Sequence, residues 1–402
     1  VTSAPDLLIV GAGVAGLRAA QVAAEAGLSV VIIEADDAPG GRIQSHVVDG
    51  FILDDGFQLI NPSYPELKAS GVLPVLDLRS FDPAVRYVSD TSSYDLVDPR
   101  WRPLQALGAL RHPQMSLKSA INVARLLGTI AFSSEDRLTR GVDCSAWDGL
   151  LAEGISEETV AGVLQPFLRG ALLDDELNSS WRFTKMLLKS FVSGRPGTPA
   201  TGAGALPQAL VRASGAGLVY GERATAVSAT SVTTTSQTYQ ARAVIVALDG
   251  ASAASLIGTP APQWRRQSAY WCSLPKVDHA AQLRIDAVGG LWNTLDMSSV
   301  APERAPVSRS LVVASAASDV VDPHITTTVA RLYDVATSDV EVIERQLIER
   351  ALPVAARPLD LDRPVEHDGV FVAGDYLQTP SIQGAMLSGR RAAEAALAHL
   401  SA

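Results

Sequence analysis

The chain sets short, wholly apolar runs against longer stretches with helical spacing. That is the pattern of strands buried on both faces and helices laid over them. Leu7-Leu8-Ile9-Val10 is the first such run, and it closes on Gly11. From Val14 to about Ala26 the residues are small and apolar and predict a helix, with Gly27 as its stop. Ser29 to Ile33 predicts a second strand, ending at Glu34. Near the other end, Gly369 to Ala373 is again short and β-rich, and Ile382 opens a helix that runs to Leu400. Between these ends, Ala241–Ala247 and Gln282–Ala287 read as strands. Apolar positions 117, 121, 124, 127 and 131 share one face of a helix. That face is expected to turn to the core; the alternative is a face that touches a membrane. The order of elements predicts an α/β fold.

The first glycines carry candidate chemistry. Gly11, Gly13 and Gly16 stand at G-x-G-x-x-G spacing between the first strand and the first helix. In that context Gly11 serves the tight turn, Gly13 the approach of a pyrophosphate and Gly16 the packing of helix on strand. Glu34 lies 34 − 16 = 18 residues past the last of them, where a carboxylate accepts from ribose hydroxyls and repels a 2′-phosphate. Ala15 and Ala35 flank these positions and join the candidate dinucleotide-binding residues. Pro39-Gly40-Gly41-Arg42 follows; its glycines free the backbone, and Arg42 offers a fixed fork of donors to a phosphate.

Gly374-Asp375 closes the second β-rich run, and Ser381-Ile382-Gln383-Gly384-Ala385 begins the last helix. A helix start presents free N–H groups and a partial positive charge, which favours a bound group that gains negative charge. With Asp54-Asp55-Gly56-Phe57-Gln58 added, the chain resembles the flavin amine oxidase, protoporphyrinogen oxidase and phytoene desaturase superfamily. Its middle, with Gln165-Pro166-Phe167-Leu168-Arg169-Gly170 and Val300-Ala301-Pro302, is similar to a bacterial branch of FAD-dependent oxidoreductases.

The resemblance implies a Rossmann-like FAD-binding domain with a discontinuous α+β substrate domain, and a non-covalent FAD. The FAD-binding domain is expected at 1–75, 200–255 and 358–402, the substrate domain at 76–199 and 256–357. The cofactor residues it implies are Gly11, Gly13, Ala15, Gly16, Glu34, Ala35, Gly41, Arg42, Gly56, Phe57, Gly374, Asp375, Ile382, Gln383 and Ala385, with Ala224 beside the adenine and Val227 as its alternative. The expected reaction is hydride transfer from an organic substrate to flavin N5. Desaturation is slightly favoured over amine oxidation; isomerisation and a non-catalytic flavoprotein are the other readings.

Departures from the amine oxidase pattern shape that preference. No Cys or His lies between Gly369 and Met386 to hold flavin covalently, and Tyr376 is the sole aromatic beside the C-terminal motif that suits an amine cage. Lys276 and Tyr376 are the weak catalytic candidates. Arg169, Trp181, Phe183, Trp264, Tyr270, Trp271 and Trp292 are pocket or core residues that spacing does not separate.

Composition changes the picture only by exclusion. The formal charge is −10, from 33 basic and 43 acidic residues, which argues against a nucleic-acid groove. Cys144 and Cys272 give neither a disulfide framework nor metal spacing. No metal site is expected. No signal peptide and no apolar run of spanning length is visible, so a cytoplasmic protein with at most peripheral membrane contact is expected. The expected partners are a small apolar or amine substrate and an electron acceptor such as oxygen or a quinone.

Overall fold

The computed structural model describes residues 4–276, 278–318 and 320–401. Leu7–Val10 forms the middle of a six-stranded sheet, because all four of its residues are apolar and none is more than 3% exposed. Its parallel neighbours are Ala243–Val246 on one side and Val30–Ile33 on the other, with Leu7 opposite both Ala243 and Val30. Val370–Val372 and Gly217–Val219 extend the sheet in parallel, and Glu366–His367 closes one edge antiparallel. Strands from the two ends of the chain thus share one sheet.

Alternation along the first strand sorts its two faces. Leu7 and Ile9 pack with the helices Val14–Glu25, Ala205–Ser214 and Ile382–Ser401. Leu8 and Val10 face Val232 of a three-stranded antiparallel sheet and Ala253 of the helix Gly250–Ile257. The first helix ends one residue before the expected limit, and Gly27 takes φ +88 just after it.

A second sheet of seven strands is mostly antiparallel. Its order is Glu341–Pro353, Trp264–Pro275, Arg309–Ala316, Asn293–Asp296, Leu283–Asp286, Ala84–Val88, Ser93–Val97. Helix Asp322–Tyr333 covers one face, and the other packs on Phe51 and Leu53. A helical layer between residues 117 and 193 has its own core around Leu126, Ile130, Leu150, Trp181 and Phe183. Trp181 and Phe183 therefore belong to the core, and Phe183 also reaches a cavity wall.

Helix Leu117–Phe132 departs from the core-facing expectation. Leu126 and Ile130 hold it to the protein, whereas Leu117 and Ile121 are 63% and 59% exposed. The spacing marked a real stripe, and its N-terminal part turns to solvent. No helix among the described residues is long and apolar enough to cross a membrane.

Candidate functional site

The glycine-rich turn is built by close approach. Gly11 takes φ +103, and a Cβ there would sit 2.7 Å from the Ala247 carbonyl. A Cβ at Gly16 would run into the Gly11 carbonyl. Gly13 differs: nothing lies within 4 Å of the Cβ position. Gly13 is also the N-cap of the first helix, which has no side-chain cap, and the first turn behind it is buried. Open space over uncapped N–H groups at a helix start is the cradle an anionic phosphate fits.

Glu34 lies at the rim of this turn, 8% exposed. Its Oε2 accepts from Ala12 N at 2.6 Å and its Oε1 from Asp36 N at 3.0 Å. Each oxygen keeps a further lone pair for a hydroxyl. Ala35 beside it is half-buried. The backbone of Glu34 accepts from Glu222 N at 2.9 Å and donates to Val219, so the segment leading to Ala224 runs beside Glu34. Ala224 itself starts a strand and pairs with Thr234; Val227, opposite Val232, lies further along it.

The Pro39–Arg42 strap folds over the same turn. Gly40 N donates to Ala12 O at 2.9 Å, and Gly13 and Gly40 form a bridge. Gly41 takes φ +57, and its Cβ position is 3.7 Å from Gly13 Cα. Arg42 then reaches across the molecule. Its Nη2 donates to Asp375 Oδ1 at 2.8 Å, between residues 333 positions apart. Its Nη1 donates to Ala351 O, and its guanidinium lies 5.3 Å from the Trp264 ring. The N- and C-terminal motifs thus meet in one ion pair.

On the C-terminal side, Gly374 N donates to Ser388 Oγ at 3.0 Å, and a Cβ at Gly374 would strike the Tyr376 ring. Tyr376 is buried, and its hydroxyl has no partner among the described residues. Burial, with the charges of Asp375 and Asp249 near it, pushes that phenol well above its ordinary value. At the last helix, Ser381 Oγ accepts from Gly384 N at 3.0 Å. Gln383 Oε1 accepts from Glu66 N at 3.0 Å, while Ile382 and Ala385 pack on the core below.

The acidic segment divides sharply. Asp54 is fully buried. Its Oδ2 meets Arg304 Nη1 at 3.0 Å, and its Oδ1 accepts from Ser45 Oγ and Ala203 N. Arg304, also fully buried, lies over Trp271, whose Nε1 donates to the Asp54 carbonyl. This knot ties strand Phe51–Asp54, half of a two-stranded hairpin with Ser45–Val48, to the second sheet. Asp55 stays half-exposed beside His46, whose other nitrogen meets Glu344 at 2.9 Å. Gly56 N donates to Gln346 Oε1 at 2.6 Å, and Phe57 packs with the second sheet's core. Spacing did not reveal His46–Glu344, Gln346 or Arg304, since their partners lie some 250 to 300 residues away in sequence.

The other candidates scatter. Arg169 donates to the carbonyls of Asp286 and Leu291, Tyr270 to that of Val320, and Trp292 to Asp175. Lys276 is exposed just past the end of strand Trp264–Pro275 opposite to Trp264. At about 3.3 Å per residue, that strand puts it up to roughly 40 Å from Trp264, the residue beside Arg42. No group of His, Cys, Asp and Glu that could hold a metal ion occurs among the described residues.

A cavity of about 90 Å³ opens beside the last helix's start. Phe183, Met186 and Leu187 supply its apolar lining, and Glu135, Thr379, Gln383 and the serines at 63, 190, 193 and 381 line it as well. Tyr64 lines it with a phenol that burial raises to about 12. Lys189 also lines it, but its ammonium donates to Ser133 O at 2.6 Å.

The sequence matches the family model described as flavin containing amine oxidoreductase over residues 14–279 and 293–397. It is 40% identical over 89 residues to putrescine oxidase from Kocuria rosea, covering 22% of this chain and 18% of that one. It is 46% identical over 54 residues to hydroxyneurosporene desaturase from Rhodobacter capsulatus, covering 13% and 11%. Both matches span less than a fifth of the relative's own length. Among solved structures, an oxidoreductase from Methanosarcina mazei superposes with TM-score 0.73 at 18% identity, over 96% of this chain and 99% of that one.

Proposed function

The chain belongs to the flavin containing amine oxidoreductase family, and from that premise we propose that it dehydrogenates an apolar organic substrate, turning a C–C bond into C=C. The family makes it a flavin-containing oxidoreductase; the substrate class goes beyond the family. The observation that carries it is the cavity at the last helix, walled by Phe183, Met186 and Leu187. Its one lysine is spent on backbone carbonyls, and its tyrosine stays a neutral phenol at ordinary pH.

When bound, FAD supplies two-electron oxidation at N5, with oxygen, a quinone or another acceptor taking the electrons afterwards. The uncapped helix start at Gly13, with Gly11, Ala15 and Gly16 shaping it, and the strap residues Gly41 and Arg42 would hold the pyrophosphate. Glu34 and Ala35 would bind the ribose, with Ala224 beside the adenine. Gly374 and Asp375 would line the ribityl path. Gly56, Phe57, Ile382, Gln383 and Ala385 would border the ring. Attachment is non-covalent in this reading: Cys272 is buried, with its thiol raised to about 12 by that burial. The protein's work is then to orient the donor C–H and exclude water, and the apolar wall suits both. Cys144 and Cys272 are free thiols, which supports a reducing compartment such as the cytoplasm.

Oxidation of an amine to an imine is the second reading, favoured by one feature: Glu135 in the cavity lining would attract a cationic donor. Anaerobic absorbance titration separates the two. Bleaching of the flavin band by apolar polyenes or ring donors, and not by amines, is the expected result. Bleaching by amines alone overturns the desaturase reading.

A further inference from the structure

We propose that residues 100–132 form a docking face for an anionic lipid surface. Three observations carry this independently of the reaction assigned above.

The first is the concentration of exposed apolar side chains. Among the described residues, every strongly exposed Leu, Ile, Phe or Trp except Leu347 lies from Trp101 to Phe132, whereas the exposed valines, Val142 and Val307 among them, are scattered singly over the rest of the chain. Scattered exposed apolar residues are ordinary, whereas a cluster of this kind marks an interaction surface.

The second is its order. Trp101, Leu104, Leu107 and Leu110 recur every third residue, and the last two lie in a 3₁₀ turn, where residues three apart eclipse. They are 54%, 85%, 66% and 42% exposed. The turn touches helix Leu117–Phe132, whose outward positions Leu117, Ile121, Ala124 and Phe132 follow helical spacing. Leu126 and Ile130 fasten that helix from the opposite side. Packing has thus fixed two neighbouring elements with apolar residues outermost.

The third is charge. The whole chain carries −10, yet no Asp or Glu lies between Asp98 and Glu135, where Arg100, Arg102, Arg111, Lys118 and Arg125 all fall. Arg100 pairs with Asp98 and Arg102 with Asp82. Arg125 donates to the Glu153 carbonyl, and Arg195 lies over the Trp101 ring. Arg111, Lys118 and Arg125 have no ion pair among the described residues. Exposed leucines flanked by unpaired cations, with an aromatic at the border, match the apolar boundary and anionic headgroups of a bilayer surface. A second copy of this acidic chain would bring apolar complementarity alone. Helix Trp181–Ser193 touches helix Leu117–Phe132 and also lines the apolar cavity, so a docked protein would hold that cavity close to the lipid.

The test is co-flotation of the full-length flavoprotein with phosphatidylcholine vesicles containing about a third phosphatidylglycerol, against phosphatidylcholine alone. Anionic vesicles are expected to bind at least tenfold better, at roughly fivefold per unpaired cation. Raising salt from about 0.1 M to about 1 M shortens screening from about 10 Å to about 3 Å and should release most of the protein. Leu104→Glu with Leu107→Glu should abolish flotation, and Arg111→Glu with Lys118→Glu should remove the anionic preference. Both pairs should keep the circular dichroism, melting temperature and flavin content of the parent. Equal flotation with neutral vesicles, or flotation unchanged in the leucine pair, would overturn the proposal. So would a lipid-free dimer, seen by sedimentation, that the leucine pair dissolves.

Discussion

Helices Val14–Glu25 and Leu117–Phe132 both carry apolar residues at helical spacing, yet they use them in opposite ways. The first buries its apolar residues against a parallel sheet and leaves its uncapped start open at Gly13. The second is held by Leu126 and Ile130 and turns Leu117 and Ile121 outward. Periodicity reports that a face exists; what covers it depends on the neighbours. For the first helix those neighbours are strands four residues back and five residues on, together with the distant helices Ala205–Ser214 and Ile382–Ser401, which take most of its packing. For the second they are side chains from residue 138 onward.

The contrast can be broken most severely at its rigid side. Arg304→Met would strand the Asp54 carboxylate at zero exposure and cost about 3–5 kcal/mol. Thermal melting should show a large drop, with the start of helix Ala205–Ser214 loosened because Asp54 also holds Ala203 N. Next comes Gly13→Val. Its side chain meets open space in the protein itself, so the melting temperature of the apoprotein should change little. It fills the cradle, however, and FAD affinity should fall at least tenfold, or about 1.4 kcal/mol. An unchanged FAD affinity would move the pyrophosphate elsewhere. Arg42→Met should weaken FAD less, and it also leaves Asp375 without its partner, so a modest fall in stability accompanies it. By contrast, Leu104→Glu should change stability by less than about 0.5 kcal/mol, since that side chain is already in water.

The smallest effect concerns pH. Hydrogen bonds from Ser29 and Arg242 hold the Asp6 carboxyl down at about 2. A depressed acid adds stability that is complete above its ordinary value, near 3.8, and disappears as pH falls toward 2. Asp6→Asn should therefore lower the melting temperature slightly at neutral pH and match the parent in strong acid.

Much of the first sheet was legible because its signals are short-range. The run Leu7–Val10, the stop at Gly27 and the final helix from Ile382 each follow from a few adjacent residues. The side chains at the candidate site were harder to read. Arg42 reads as a free phosphate fork, yet it bonds Asp375, 333 residues away. Gln383 reads as a cofactor residue, yet its side-chain oxygen takes Glu66 N. Asp54 reads as part of the acidic–glycine segment that carries the family resemblance, yet it is sealed under Arg304. In each case a charged or amide group found its partner through tertiary folding, which motif spacing does not encode.

In the proposed assembly both ends of the chain hold one FAD without a covalent bond. Acid precipitation of purified protein, with the supernatant identified by its absorbance and chromatographic mobility, tests it most directly. One FAD released per chain is the expected result. A colourless protein that takes up no added FAD, or a flavin that stays with the precipitate, would contradict it.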